Sequence, residues 1–255
     1  MGKLSQNWLG ALKFNPAQTL LHSGNKTIEI FTKRDLIGES VEPLNWVWQL
    51  PSVQKIFRNQ KDDGSWSHNG KETVAYPLNH YSLAESWKIY HMIVEQYQIN
   101  KSHEGAKKAA EFLFSYQTTE GDIRGMLANQ YATYYTGAIL AILIKAGYAN
   151  DFRVEKGLKW LLSMRQDDGG WTIPILTHDF DIKKYYYLTS HFAEPVETDR
   201  SKPFSHNWID MVLRAFSAHP IYRQSKEAFK AANLLKSSFF LPDFYIQRCR
   251  ILGAI

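Results

Sequence analysis

The sequence predicts an all-α fold in which helical hairpins form an inner and an outer layer. Three observations support this prediction. A turn of similar composition recurs along the chain, and one-sided amphipathic helices alternate with helices that are apolar all round. Period-two alternation of apolar and polar residues, which would indicate strands, is almost absent. The 255 residues are enough to bury a sizeable core.

The recurring turn follows the end of a helix and combines Gln, acidic residues and Gly, and its first and third copies end in Trp. We predict that Gln60, Gln117 and Gln166 occupy equivalent settings, 57 and 49 residues apart. A unit of that length holds two helices and their loops. The glycine permits a tight turn, and the Gln amide can satisfy free backbone groups at helix ends. Trp66 and Trp171 can then tie neighbouring repeats together.

Apolar spacing locates the helices between these turns. Residues 136–147 read TGAILAILIKAG, which is apolar on nearly all sides and indicates an inner, buried helix. Apolar residues three and four apart indicate the other helices. Outer helices are marked by Ala106, Ala110 and Leu113, by Val154, Leu158, Leu161 and Leu162, and by Ala228, Ala231, Ala232 and Leu235; another inner helix is marked by Ile209, Val212, Leu213 and Phe216.

Two segments fall outside the repeat. Residues 1–44 show no clear repeat and are interpreted as an N-terminal capping region, with the repeat domain over residues 45–255. The connection from Trp171 to Ser205 is long and carries three prolines, which indicates an irregular loop over one rim of the domain.

Charge and cysteine content exclude several classes of function. The net charge is +5, and the scattered Lys and Arg residues form no stripe of the kind that binds nucleic acid. The single cysteine, Cys249, allows no internal disulfide. No secretory signal and no apolar stretch of about twenty residues is present. We therefore expect a cytoplasmic protein. Peripheral contact with a membrane and homodimerisation both stay open.

Two copies of the turn carry a family resemblance. Residues 57–66 (FRNQKDDGSW) and 161–171 (LLSMRQDDGGW) resemble the QW motifs of squalene and oxidosqualene cyclases, and residues 131–171 resemble β subunits of protein prenyltransferases. The resemblance covers roughly residues 45–241 and implies an α/α toroid. A closed ring in these families needs more hairpins than the three to four visible here. The resemblance therefore leaves open a shortened toroid, a dimer or a fragment of a longer ring.

The catalytic signatures of these families are not spelled out here. Class II terpene cyclases protonate their substrate with a D-x-D-D motif, to which 179–182 (DFDI) is one Asp short, so we interpret it as a solvated acidic turn. Prenyltransferases hold zinc with an Asp, a Cys two residues later and a distant His, but Cys249 follows Gln247. His178 and His191, with the acids beside them, are interpreted as a polar loop. No metal and no cofactor is predicted.

The resemblance implies that the N-terminal ends of the inner helices face a central cavity. Aromatic side chains there could hold an isoprenoid chain and stabilise a passing carbocation. The predicted substrate-binding residues are Tyr76, Tyr81, Tyr134, Tyr135 and Trp208. The predicted acids and bases are His80, Glu85, His206 and Asp210. For each of these residues, a place in the core or in a helix cap is the alternative.

Two hypotheses of different class follow. The first is a terpenoid-cyclase/prenyltransferase-like protein that binds or transforms an apolar, isoprenoid-type substrate in an aromatic cavity. The alternative is a non-catalytic helical scaffold or interaction module, because the acid and zinc motifs are missing and the ring is short. A carbohydrate-active toroid enzyme is a remoter option, since tyrosines and histidines also line sugar clefts.

Overall fold

The computed structural model describes residues 12–41, 44–70 and 78–245, and every regular element within these ranges is helical. The prediction of an all-α protein is confirmed. Short 3₁₀ and π segments extend or connect the α-helices. The α-helices are α1 (Pro16–Leu21), α2 (Lys26–Phe31), α3 (Pro51–Arg58), α4 (Leu78–Tyr97), α5 (Glu104–Phe114), α6 (Thr133–Leu143), α7 (Phe152–Ser163), α8 (Ile182–Ser190), α9 (His206–Ala218) and α10 (Lys226–Ser238). None of these helices is long and apolar enough to cross a lipid bilayer.

The chain divides into two compact units. The first comprises residues 1–58 and 96–98, and the second comprises residues 59–95 and 99–255. In the first unit, side chains of Asn15 and Asn25 accept hydrogen bonds from the first-turn amides of α1 and α2. Arg34 donates to both carboxylate oxygens of Asp35 at 2.6 and 2.7 Å, and to Gln98 Oε1 at 2.6 Å. These bonds fix the helices of the first unit locally.

The second unit contains one helix that is buried on nearly all sides, α6, and its neighbours are buried on one side. Every residue of α6 from Thr136 to Leu143 is buried, whereas α5 and α7 are buried on one side only. Helix α6 packs against α7 and α9, and α9 packs against α10. The α6–α9 approach is close because Gly137 has no side chain: a Cβ there would lie 2.8 Å from Val212 Cα. Of the predicted buried helix over residues 136–147, the part from Thr136 to Leu143 is therefore observed to be buried.

The first two recurring turns have the same hydrogen-bonding pattern. Gln60 Nε2 donates to Gly64 O at 2.9 Å and to Gly105 O, in the first turn of α5, at 2.8 Å. Gln117 Nε2 donates to Gly121 O and to Arg153 O, in the first turn of α7, at 2.8 Å each. In both turns, one glutamine amide therefore joins the turn to the next helix but one along the chain.

The residue that closes each of these turns donates a hydrogen bond to the helix that follows it. The amide of Trp66 donates to Ser86 Oγ in α4 at 2.9 Å, and the amide of Ile123 donates to Thr136 Oγ1 in α6 at 3.1 Å. Each turn is thus attached on one side to the helix that follows it and on the other side, through its glutamine, to the helix after that.

The predicted equivalence of Gln166 is wrong by one residue. The Gly169 amide donates a hydrogen bond to Gln166 O, as the Gly64 amide does to Lys61 O. Gln166 is therefore equivalent to Lys61, and Arg165, one residue earlier, is equivalent to Gln60. Arg165 Nε accordingly donates to Gly169 O at 3.1 Å. Gln166 instead donates to Asp199 O at 2.7 Å and Lys202 O at 3.0 Å, which fastens the long connection that follows.

The connection after Trp171 is only in part the irregular loop that its prolines indicate, since residues 191–205 contain no helix. It contains a 3₁₀ turn (Pro174–Thr177) and helix α8. Tyr185 and Leu188 of α8 are buried in a cluster with Ile175 and Leu176, and Tyr134, Tyr135 and Trp208 pack against that cluster. The connection therefore covers aromatic residues at the starts of α6 and α9.

Candidate functional site

A groove of about 160 Å³ lies between α4, α6 and α9. Small and aliphatic side chains form its floor, and charged side chains stand at its rim. This volume is smaller than the roughly 300–1,000 Å³ of typical ligand pockets, so the groove would enclose only part of a long apolar ligand. We call this site the inner groove; it is lined by Trp87, His91, Glu95, Ala138, Ala141, Ile142, Lys145, Met211 and Arg214.

An aromatic row links the three helices beside the inner groove. Trp87 of α4 contacts Tyr135 of α6 edge-on, with ring centroids 6.1 Å apart. Tyr135 contacts Tyr134 at 4.9 Å, and Tyr134 contacts Trp208 of α9 at 4.8 Å, both edge-on. The structure thus brings together three of the predicted substrate-binding residues. Trp87 was missed because the prediction considered only the starts of the inner helices.

Ion pairs stand at the rim of the inner groove. Lys145 Nζ lies 2.5 Å from Glu95 Oε1, and Arg214 Nη2 lies 3.7 Å from Asp210 Oδ2. Burial raises the pKa of Tyr134, and Asp210 raises it further while Arg214 lowers it. Burial also raises the pKa of the Tyr135 hydroxyl. Both phenols are therefore neutral hydrogen-bond donors at physiological pH.

Three buried polar atoms in this region have no hydrogen-bond partner among the described residues: Trp87 Nε1, Trp208 Nε1 and Asp210 Oδ1. Such atoms are uncommon because each loses the hydrogen bonds that it makes to water in the unfolded chain. Two indole donors and one carboxylate acceptor could receive a polar group of a ligand or a bound water.

A second cluster forms where the first turn meets α4. The ring of Tyr81 lies 5.4 Å from His80 and 5.1 Å from His68, and His68 Nδ1 lies 3.5 Å from Glu85 Oε2. The ring of His80 is also within hydrogen-bonding distance of Met126 O, at 3.0 Å. Burial lowers the pKa of His80. Three predicted residues therefore meet here with His68, which sequence reasoning did not select.

The remaining predicted residues lie elsewhere. The ring of His206, the first residue of α9, stacks obliquely on Phe204 with centroids 5.1 Å apart. Tyr76 falls outside the described residues. Asp181 of the D-x-D-D-like stretch caps α8 by accepting from Lys184 N at 2.8 Å. His178 Nε2 is 2.7 Å from Glu197 O, and Asp179 is exposed.

A buried charge network, also missed from the sequence, fills the turn before α6. Asp122 is fully buried and accepts from Arg124 Nε at 2.8 Å. Arg124 also donates to Glu120 at 2.9 Å, and its guanidinium lies 4.9 Å from the centre of the Tyr131 ring. Tyr131 Oη lies 2.9 Å from Glu120 Oε2 and 3.3 Å from Glu197 Oε1. This network joins the turn to the long connection, and each nitrogen of the Arg124 guanidinium donates at least one hydrogen bond.

Within the described ranges, no group of three or more His, Cys, Asp or Glu side chains is placed to hold a metal ion. Comparison of the chain with models of protein families, with curated proteins and with solved structures finds no match. The site must therefore be interpreted from its own residues.

Proposed function

We propose that this chain is a helical-hairpin protein of the α/α-toroid type, similar to terpenoid cyclases and protein prenyltransferases, that binds an apolar, isoprenoid-type ligand. The observation that carries the proposal is the inner groove between α4, α6 and α9. Its floor of Ala138, Ala141, Ile142 and Met211 offers methyl and methylene groups to a branched hydrocarbon. Trp87 adds an aromatic wall.

The recurring turn supports the toroid arrangement. Gln60 binds the start of α5, and Gln117 binds the start of α7 by the same pattern. A connection that is repeated from one hairpin to the next gives each hairpin a similar position relative to its neighbour. Repetition of this kind would set the hairpins around a common centre, which the inner helices would face.

The unpaired polar atoms suggest where a functional group of the ligand binds. Trp208 Nε1 can donate a hydrogen bond and Asp210 Oδ1 can accept one, and because residues two apart on a helix face different sides, a ligand hydroxyl would satisfy one or the other. For a chemical conversion, Asp210 is the predicted acid or base that adjoins the groove, through its contact with Arg214. The aromatic row would then face positive charge that develops on the hydrocarbon.

A non-catalytic scaffold is the second candidate. It is favoured by the setting of His80, Glu85 and His206, each of which contacts neighbouring groups of the protein. A scaffold would use the groove surface for packing and would bind no hydrocarbon.

Ligand binding distinguishes the two candidates. The purified chain is titrated with farnesol and with squalene, followed by tryptophan fluorescence, and the mixtures are analysed for products by mass spectrometry. We expect Ala141→Phe, which fills the groove, to weaken binding by at least about tenfold. Ala232→Phe, at an exposed alanine of α10, is the matched control and should bind as wild type does. Wild-type protein that binds neither compound supports the scaffold.

A further inference from the structure

Large apolar side chains are concentrated on the surface just after α10. Phe239, Phe240, Leu241 and Phe244, which we call the aromatic turn, are between 58% and 94% exposed. The rings of Phe239 and Phe240 pack edge-on with centroids 5.2 Å apart. Contiguous exposed patches of this kind usually mark a surface that contacts a partner or a membrane.

The aromatic turn is held in place by buried groups beneath it. Asp243 is buried and accepts from Ser205 Oγ at 2.7 Å and from Asn207 N, in the first turn of α9, at 3.2 Å. The next residue but one, Tyr245, is fully buried and donates from its hydroxyl to Pro203 O at 2.6 Å. Turning the exposed rings inward would require breaking these bonds, so the fold itself keeps the rings at the surface.

Helix α10 presents a basic face next to the aromatic turn. Lys226, Lys230 and Lys236 are exposed. Lys226 and Lys230 lie one turn apart on the same face, Lys236 lies about 120° around the helix from Lys230, and the aliphatic part of Lys230 lies over Gly169. None of the three forms an ion pair with another described residue. Phe229, also exposed, lies among them, and Glu227 is the one acidic residue of α10. The surface therefore combines exposed positive charge with exposed aromatic rings.

We propose that α10 and the aromatic turn bind peripherally to an anionic phospholipid surface. Aromatic side chains favour the headgroup region of a bilayer, and lysines beside them are attracted to anionic lipids. With 13 residues, α10 is about 20 Å long and would lie along the surface. A second copy of the chain fits this surface less well, because a two-fold axis would bring the lysines of one copy close to those of the other.

Vesicle co-sedimentation tests the proposal. The full chain is mixed with vesicles of phosphatidylcholine alone or with 30% phosphatidylserine, and the bound fraction is measured. We expect binding to the anionic vesicles, lowered by at least about tenfold in Phe239→Ser/Phe240→Ser. In Lys226→Gln/Lys230→Gln/Lys236→Gln, we expect a loss of roughly fivefold per lysine. The matched control is Phe152→Ser/Phe192→Ser, at two exposed aromatics outside this surface.

Three results would overturn the proposal. The first is a wild-type chain that does not bind anionic vesicles, and the second is an equal loss in the control variant. The third is a wild-type chain that forms a dimer without lipid, as seen by analytical ultracentrifugation, and does not bind vesicles. In that case Phe239→Ser/Phe240→Ser would dissociate the dimer. Hydrogen exchange of the wild-type chain with vesicles adds a test free of mutations: protection is expected over residues 226–244, and protection elsewhere counts against the proposal. No residue of the inner groove is involved, so the two proposals can fail independently.

Discussion

At the scale of single residues, the side-chain amide of the glutamine in the recurring turn connects that turn to a distant helix as well as stabilising the turn. Gln117 Nε2 is shared between a carbonyl of its own turn and a carbonyl of α7, 36 positions further along the chain. Its two amide hydrogens can serve two acceptors at once, which a hydroxyl or a thioether cannot do. The same arrangement at Gln60 explains why the residue type recurs.

Gln117→Met should therefore destabilise the second unit. The substitution keeps the length of the side chain but leaves the carbonyls of Gly121 and Arg153 without this donor. Urea denaturation should show a free energy of unfolding lower by about 2 kcal/mol. Gln224→Met, at an exposed glutamine, is the control and should change it by less than about 0.5 kcal/mol. Equal effects at the two positions would refute the role given to the amide.

The pKa of His80 makes stability depend on pH. Burial lowers this pKa below its ordinary value of 6.5; hydrogen bonds to the backbone of Met126 and Gly125 oppose the shift, and the charges of Lys88 and His68 add to it. The folded chain then binds a proton less readily than the unfolded chain, so stability is complete above pH 6.5 and falls as the pH drops through the lowered pKa. His80→Gln, which can still donate to Met126 O, should flatten the decline between pH 7.5 and 5. Parallel stability profiles for variant and wild type would contradict this explanation.

Single letters of the sequence predicted the repeat but not its register. Gln166 was aligned with Gln60 because both precede two acidic residues and a glycine. The backbone hydrogen bonds of the two turns align at the glycine instead, and this alignment makes Arg165 equivalent to Gln60. The error arises because a guanidinium can donate to the same carbonyl as an amide, so residue type does not identify the position.

At the scale of elements, the pattern of burial was predictable and the contacts were not. The apolar run of residues 136–147 predicted a helix buried on nearly all sides, and residues 136–143 of α6 are all buried, whereas Lys145 and Gly147 in the π segment that follows are exposed. Helix α8 was missed because prolines flank a segment whose buried side is only Tyr185, Leu188 and Thr189. Nothing in the sequence showed that these side chains would cover the starts of α6 and α9.

The α6–α9 contact gives a prediction at this scale. Gly137→Ala improves helix propensity by about 1 kcal/mol, but its Cβ would meet backbone atoms of Met211 and Val212 at 2.8–2.9 Å. Because backbone cannot rotate away, we expect a net loss of about 2 kcal/mol.

Gly157→Ala in α7 is the comparison, since its Cβ would meet the end of the buried Leu140 side chain at 2.7 Å and one backbone atom, Gly121 O, only at 3.2 Å. Its net loss should be smaller than that of Gly137→Ala. Thermal unfolding of both variants measures these changes in stability. A Gly137→Ala variant as stable as the wild type would mean that α6 and α9 are further apart than the structure shows.

At the scale of the whole molecule, the candidate site is assembled from three helices that are distant in sequence. Tyr134, Tyr135 and Trp208 could be selected from the sequence because they begin predicted inner helices. Trp87, His91, Lys145 and Arg214 could not, because they lie further along those helices and their convergence depends on how the helices pack. The charge network around Arg124 was hidden for a similar reason, since Glu197 reaches it from the long connection.

The most direct test of the central claim is a crystal structure of the chain soaked with farnesol. The proposal predicts hydrocarbon density along Ala138, Ala141 and Met211, with its hydroxyl within hydrogen-bonding distance of Trp208 Nε1 or Asp210 Oδ1. It also predicts that α4, α6 and α9 face a common centre. Density at another place, or inner helices that do not share such a centre, would contradict both the toroid arrangement and the ligand proposed for it.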